Sequence, residues 1–356
     1  MTAAATPSAT TQADLAAKVG LSVMTVHRAL TGHPHVADRT RRRVQDAAKQ
    51  IGYRVNTAAR TTRTGRFGAI ALLQGTRDGR SSLPQQLLDG IQVAASEREV
   101  NLMLVKYSDE RLTDPAYVPR MLREVASDGL LIDYTHGIPQ RMLDLIRKTQ
   151  TPAVWINSKQ AHDCVHPDDY QAGRDATAHL AGLGHRDIAY ADFTHGSAFP
   201  NPHYSSIDRL SGYLDEMADR GFAHRVIRAE GEIDIAGGRR QSLPMELLGA
   251  ADRPTAVICF GSTTAAGFYH AAYRLRLDIP GQLSLVLFGN EPETTLIPVP
   301  TSMIVPYHEI GRRAVSMLCD KIATPPEQLE PLSLPFSEFA GASAGPPADF
   351  DHPTPA

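Results

Sequence analysis

The hydrophobic positions of this chain follow one period up to about residue 55 and another from Phe67 onward. Between Gln12 and Ile51 they recur every three or four residues in three short stretches, the spacing of one helical face. Thr11-Gln-Ala-Asp14 has the form of a capping box, Leu15, Ala16 and Val19 supply an inward face, and Gly20 ends the helix. Ser22 caps a second stretch, VMTVHRAL, with Val26, Ala29 and Leu30 inward. A third runs from Asp38 to Ile51, with Val44, Ala47, Ala48 and Ile51 inward. Two short helices around a tight turn form the motif that lays its second helix in a DNA major groove.

From Phe67 the apolar residues come as short continuous runs: GAIALLQ, NLMLVKY, DGLLIDYT and TPAVWIN. Between them PQQLLDGIQVAASERE, YVPRMLREVAS and PQRMLDLIRKTQ carry helical spacing. A second round begins near Cys164, with DDYQAGRDATAHLAGLGH, RLSGYLDEMADRGF and GSTTAAGFYHAAYRLR as helices. RDIAYADF, AVICF and LSLVLF are its strands. Apolar strands alternating with helices predict parallel sheets covered on both faces. Two such lobes in series imply a cleft where the strands end, the place where doubly wound sheets bind ligands.

Charge sharpens this division. The net charge is only −3, yet residues 1–66 carry eleven Lys and Arg against three acids, a head of +8 on a remainder of −11. A basic head on an acidic body is the asymmetry expected when one end meets phosphates. The three cysteines, Cys164, Cys259 and Cys319, form no paired framework, which suits a reducing compartment. The first residues lack the basic and apolar regions of a signal peptide and read as a disordered leader over 1–10. No apolar run approaches transmembrane length.

The outer face of the second helix carries Val23, Met24, His27 and Arg28. Arg28 suits a bidentate contact to guanine, while Val23 and Met24 offer apolar surface to a thymine methyl. Thr25, His27 and His35 suit phosphate contacts, which position without reading sequence. Arg41, Arg42 and Arg43 form either a solvated face or a phosphate-steering run. In the body, Gln74 and Tyr134 follow apolar strands and are placed to line the cleft, and Trp155, the single tryptophan, either packs in the core or stacks on a ligand.

The segment Asp14-Leu15-Ala16, Val19-Gly20-Leu21-Ser22, Thr25-Val26, Arg28-Ala29-Leu30, Val36, Thr40-Arg41, Val44, Gly52-Tyr53, Asn56, Ala59 and Arg60 closely resembles the DNA-binding head of the lac-repressor/galactose-repressor family. The body resembles the same family through Val165-His-Pro-Asp168-Asp169-Tyr170, Leu183-Gly184-His185-Arg186-Asp187-Ile188, Arg209-Leu210-Ser-Gly212-Tyr213, Arg253-Pro254-Thr255-Ala256 and Gly311-Arg312-Arg313-Ala314. The resemblance implies an all-α helix-turn-helix head over 11–55 and a hinge helix over 56–65. It also implies an α/β body over 66–340 of two doubly wound parallel-sheet lobes, periplasmic-binding-protein-like, followed by a tail to 356. Lobe 1 is expected at 66–163 and 292–322, and lobe 2 at 164–291 and 323–340. A homodimer on a pseudo-palindromic DNA operator follows, with a carbohydrate-like small-molecule effector in the cleft, no cofactor, no metal and no membrane. A repressor of the bacterial cytoplasm and nucleoid is the expected role.

Carried over residue by residue, Thr40, Asn56, Ala59 and Arg60 join the DNA contacts, and Arg209 and Asn157 join the effector contacts. Three head positions depart from the family: His27 stands for Ser, Val55 for Pro, and Thr62 for the hinge leucine that wedges into the minor groove. Thr62 is too short and polar to act well as such a wedge. In the body, Gly261-Ser262 replace an Asn-Asp pair and Gly289 replaces an Asp, with Phe260 and Phe288 beside them. Those losses predict an effector unlike a free hexose, either larger, less hydroxylated or anionic. Asp168 is expected as a structural partner near the lobe junction. His162, Cys164 and His166 alternate on an extended segment that reads as a lobe-crossing strand rather than a zinc site. No nucleophile–base or carboxylate pair stands out, so an enzyme is not expected. The remaining alternatives are a regulator whose body is a protein-interaction module, and a sugar-binding receptor protein.

Overall fold

A computed structural model of the chain describes residues 10–54, 65–75, 81–108, 126–135, 138–193, 202–228, 238–324 and 328–348. The chain divides into two compact units, 1–67 and 68–356. The expected hinge helix, with Asn56, Ala59, Arg60 and Thr62, lies outside the described residues, as do most of YVPRMLREVAS and residues 194–201.

The head holds α1 (Gln12–Val19), α2 (Val23–Leu30) and α3 (Asp38–Gln50). Both halves of the capping box form: the Thr11 hydroxyl accepts from the Asp14 amide, and the Asp14 carboxylate accepts from the Thr11 amide at 2.8 Å. Gly20 takes φ +61°, which a side chain would strain, and turns the chain into α2. The Ser22 hydroxyl accepts from the Thr25 amide at 3.1 Å and so starts α2. Leu15, Val19, Val26, Ala29, Val44 and Ala48 close a small core. The arginine run is partly structural. Arg41 pairs with Asp38 at 2.9 Å, and Arg43 donates to the Val19 carbonyl at 2.7 Å, satisfying the end of α1.

The body contains two six-stranded sheets. In the first are β1 (Ala69–Gly75), β2 (Asn101–Tyr107), β3 (Gly129–Asp133), β4 (Ala153–Ile156), β5 (Cys164–Pro167) and β11 (Leu332–Leu334), ordered β11-β5-β4-β3-β1-β2. The second sheet has β6 (Ile188–Asp192), β7 (Arg225–Arg228), β8 (Ala256–Cys259), β9 (Ser284–Gly289), β10 (Thr301–Ile304) and β12 (Ser337–Phe339). Its order is β12-β10-β9-β8-β6-β7, parallel except where β10 meets β12. Around them lie α4 (Gln85–Glu97), α5 (Gln140–Thr149), α6 (Asp169–Gly182), α7 (Tyr204–Asp219), α8 (Gly238–Gly249), α9 (Ser262–Leu275) and α10 (Tyr307–Ala323). No helix among the described residues is long and apolar enough to cross a membrane.

The lobe boundaries differ from the expectation in three places. β5 pairs with β4 and belongs to the first sheet, so the segment of Cys164 and His166 is not a lobe-crossing strand. β10 pairs with β9 in the second sheet, and β11 returns to pair with β5 in the first. The chain therefore passes between lobes after Pro167, after Ile304 and after Leu334. These strands are three or four residues long and hold polar residues, so pairing rather than an apolar run defines them.

Each lobe has one helix pair that packs backbone to backbone. A Cβ built on Gly90 of α4 would stand 2.0 Å from the His308 carbonyl oxygen of α10, and one on Gly311 would stand 2.5 Å from that of Leu87. In the second lobe a Cβ on Gly173 of α6 would stand 2.1 Å from the Arg209 carbonyl oxygen of α7. The missing side chain thus sets where Arg209 sits. Gly173→Ala must push the helices apart and should cost about 1–3 kcal/mol in urea unfolding. An unchanged midpoint would show that the crossing has slack.

Candidate functional site

Two surfaces carry chemistry. On the head, α2 presents Val23 and Met24 at 47% and 59% exposure, with Arg28 exposed and Thr25 and His27 half-buried. Apolar side chains left in water at the first turn of the second helix are placed to meet base edges. The Thr25 hydroxyl is 2.8 Å from that of Ser22, so it is already engaged in the cap. His35 is exposed, its amide bonded to His33 Nδ1 at 3.3 Å, and Thr40 is half-buried in the first turn of α3.

In the body, polar side chains gather around Arg209, which lies in α7 with 7% exposure. Its Nε donates to Asp169 Oδ1 at 2.7 Å and its Nη1 to the Phe260 carbonyl at 3.4 Å. The guanidinium carbon is 4.8 Å from the Phe260 ring centre, 4.6 Å from Phe288 and 5.4 Å from Phe336. Burial in this apolar wall acts to lower the arginine's pKa, but Asp169 outweighs it and Arg209 stays charged. Asp169 follows the first lobe crossing and Phe336 lies in the third. Tyr307 follows the second, and its phenol, pushed up to about 12 by burial, feels both Arg209 and Asp169. Arg209 is thus the side chain on which all three crossings converge.

Asn157 follows β4 with φ +50° and is held from the other lobe. The Tyr204 hydroxyl donates to its Oδ1 at 3.1 Å, and His203 Nε2 is 3.1 Å from its carbonyl oxygen. Lys159 pairs with Asp208 at 2.7 Å, and Gln86 donates to Glu291 at 3.0 Å, also between lobes. Gln74 ends β1 buried, donating to Asp133 Oδ2 at 2.8 Å. Trp155 packs in the core cluster of the first lobe. Tyr134, expected at the cleft mouth, is instead wholly buried in that cluster with Leu73, Ile132 and Met142. Strand alternation explains this, because Asp133 and Tyr134 point to opposite faces.

Gly261 caps α9, Ser262 opens it exposed, and Gly289 ends β9. Phe288 is buried and Phe260 half-buried beside Arg209. Asp168 caps α6, its Oδ1 accepting from the Gln171 amide at 3.1 Å. Sequence reasoning assigned no role to Asp133, Asp169, Tyr307 or Phe336. Asp169 alone had a visible signal, an acid in the first turn of a helix inside the resemblance motif.

Three buried polar atoms of this region have no hydrogen-bond partner among the described residues: Asp133 Oδ1, Asp169 Oδ2 and Tyr190 Oη. Buried polar groups are rarely left unpaired, and an absent ligand is one recognised reason. Burial pushes the Asp133 carboxyl from its ordinary 3.8 up to about 7, against Gln74, the Ser82 amide and Lys106.

An exposed second helix on a three-helix head, with a two-lobe body that buries a cation and orphaned acceptors, is the build of a ligand-responsive DNA-binding regulator. Residues 11–56 match the model of the bacterial regulatory proteins of the lacI family, and 177–343 match the periplasmic binding protein-like domain. The chain is 29% identical over 325 residues to the HTH-type transcriptional regulator RafR of Escherichia coli, covering 89% of this chain and 93% of that protein. In fold it is similar to the lac repressor dimer bound to operator and the anti-inducer ONPF, with TM-score 0.71 and 19% identity over 95% and 99% of the two chains. It is also similar to the transcriptional regulator CelR in complex with cellobiose, with TM-score 0.61 and 22% identity over 94% and 99%. Head and body together have the domain make-up of the lacI-type bacterial transcriptional regulators.

Asp133 supplies a pH test. Its folded pKa lies above the unfolded value, so the folded state binds the extra proton between the two. The stability this gives is present below pH 4, is lost as pH rises from about 4 to about 7, and does not change further above. Relative to Asp133→Asn, the native protein should lose up to about 4 kcal/mol across that window. Urea unfolding of both proteins at pH 4.5, 5.5, 6.5 and 7.5 reads this directly. Parallel curves would mean that Asp133 does not titrate there.

Proposed function

We propose that this protein is a cytoplasmic repressor that binds a pseudo-palindromic operator as a homodimer and changes its DNA affinity when a small carbohydrate-like effector occupies the cleft between its lobes. The observation that carries this reading is the group of orphaned polar atoms around the buried Arg209–Asp169 pair. They favour a ligand site over a body that serves only as a protein-docking surface. A homodimer is supported by the edge of the first lobe, where Leu104 of β2 and Val93 of α4 are exposed at 57% and 39%. The operator-bound dimer and the cellobiose complex are properties of the relatives, and they make both partners reasonable for this chain.

The proposed DNA contacts are Val23, Met24, Thr25, His27, Arg28, His35 and Thr40, joined by the hinge residues Asn56, Ala59, Arg60 and Thr62. The proposed effector contacts centre on Arg209 and Asn157, with Gln74, Phe260, Gly261, Ser262, Phe288 and Gly289 around them. Tyr134 and Trp155 act from behind, by packing. An anionic effector, one option on sequence grounds, is disfavoured by three buried aspartates of the body, Asp133, Asp169 and Asp192.

Thermodynamics demands that the effector bind one lobe arrangement better than another, and that operator and effector affinities shift reciprocally. Arg209→Ala should therefore abolish the response of operator affinity to effector. A retained response in fluorescence anisotropy would place the effector elsewhere. On the head, Arg28→Ala should relax base preference at one position per half-site by about 1–3 kcal/mol, read by binding to a library of single-base operator variants. An equal loss on every sequence would make Arg28 a phosphate contact.

A further inference from the structure

Asp133 is wholly buried at the carboxyl end of β3, where doubly wound sheets receive ligands. Gln74 holds one carboxylate oxygen at 2.8 Å and so aims the group, while the other oxygen has no partner among the described residues. The end of the strand is clamped as well. The Ser81 hydroxyl donates to the Asp133 carbonyl and accepts from the Gly75 amide at 2.7 Å, tying β1 to β3. This is a fixed acceptor rather than a side chain free to swing toward water.

The charged groups around it do not neutralise it. Lys106, on the outer strand β2, is exposed and acts only at a distance. Arg209 is committed to Asp169 and to three phenylalanine rings. Tyr307, on α10, feels Asp133 on one side and Arg209 with Asp169 on the other, which puts the three charged groups around one phenol. A buried carboxylate that lacks a cation is costly, and the cost is removed when a cation arrives.

We propose that the effector presents a protonated amine to Asp133, so that the cleft selects amino-substituted polyols and sugars over their neutral counterparts. The inference rests on the reading of the cleft as the effector site. In it the ligand's oxygen acceptors face the guanidinium of the second lobe, and its amine faces the carboxylate of the first. Bound this way it bridges the lobes with opposite charges at its two ends. The two carboxylates lost at Ser262 and Gly289 of the second lobe are answered by one on the first.

Matched probes test this on the full-length protein. D-glucosamine is compared with D-glucose, and D-galactosamine with D-galactose, by calorimetry at pH 7 and by the emission of Trp155, the only tryptophan. In at least one pair the amine should bind ten or more times tighter than its neutral partner. Asp133→Asn should bring that ratio to within twofold, and Asp133→Glu, which keeps the charge, should preserve a preference. Because the readout is a ratio within one preparation, a general loss of stability cannot imitate it. Equal or tighter binding of the neutral sugars, or no binding by either amine, overturns the proposal. Binding that needs Arg209 but ignores Asp133 defeats the amine alone. A ligand that shifts operator affinity with Arg209→Ala in place and Trp155 silent defeats the cleft reading itself.

Discussion

The ion pair between Arg209 and Asp169 is the constraint around which the body is built. At 2.7 Å, with both side chains almost fully out of water, it gains Coulomb energy and loses hydration on a similar scale. What tips the balance is the surroundings. Three phenylalanine rings present their negative faces to the guanidinium, and a carbonyl accepts one of its protons. The pair is therefore costly to break from either side. Two of its partners, Asp169 and Phe336, come from segments that join the lobes, so any change in lobe angle must either carry this cluster as a rigid piece or repack it.

That arrangement gives the body a small number of discrete states rather than a continuum. Packed interfaces of this density switch between alternatives and do not deform smoothly. The contacts that bridge the lobes outside the cluster are of a different kind. Lys159 with Asp208 and Gln86 with Glu291 are polar pairs nearer the surface, cheap to exchange for water. A cleft with a stiff pivot and weak latches suits regulation, because a ligand needs to supply only a few kcal/mol of differential binding to change which state is populated.

The head was almost fully legible in the sequence because its determinants are local. A capping box, a left-handed glycine and a serine cap act within four residues, and each is where the pattern put it. The body was legible where strands are central and wholly buried, as in β1, β3 and β8. It was not legible where short polar strands owe their place to pairing partners far along the chain. β5 meets β11 more than 160 residues away, and no periodicity announces that. The same holds for the site. Arg209 was found through resemblance, but Asp133 looked like the polar end of an apolar strand. That its carboxyl is wholly buried, pinned by Gln74 and unpaired on one side is a property of the tertiary structure alone.

The proposed pairing of ligand with Arg209 on one lobe and Asp133 on the other has a consequence for specificity that shape cannot supply. A hydrophobic wall distinguishes ligands differing by one small group only weakly, whereas a buried polar group left unpaired penalises the wrong ligand by its full desolvation cost. Phe260, Phe288 and Phe336 cover the faces of the guanidinium, leaving its edge as the polar surface of that wall. Asp133 supplies a second polar point on the opposite lobe. Two points of opposite charge define a direction, so a ligand with one acceptor end and one donor end can enter in only one orientation. Because the points lie on different lobes, satisfying both requires the lobes to stand at one particular separation. Recognition of the ligand and selection of the lobe arrangement are then the same event, which is what reciprocal coupling to DNA affinity requires.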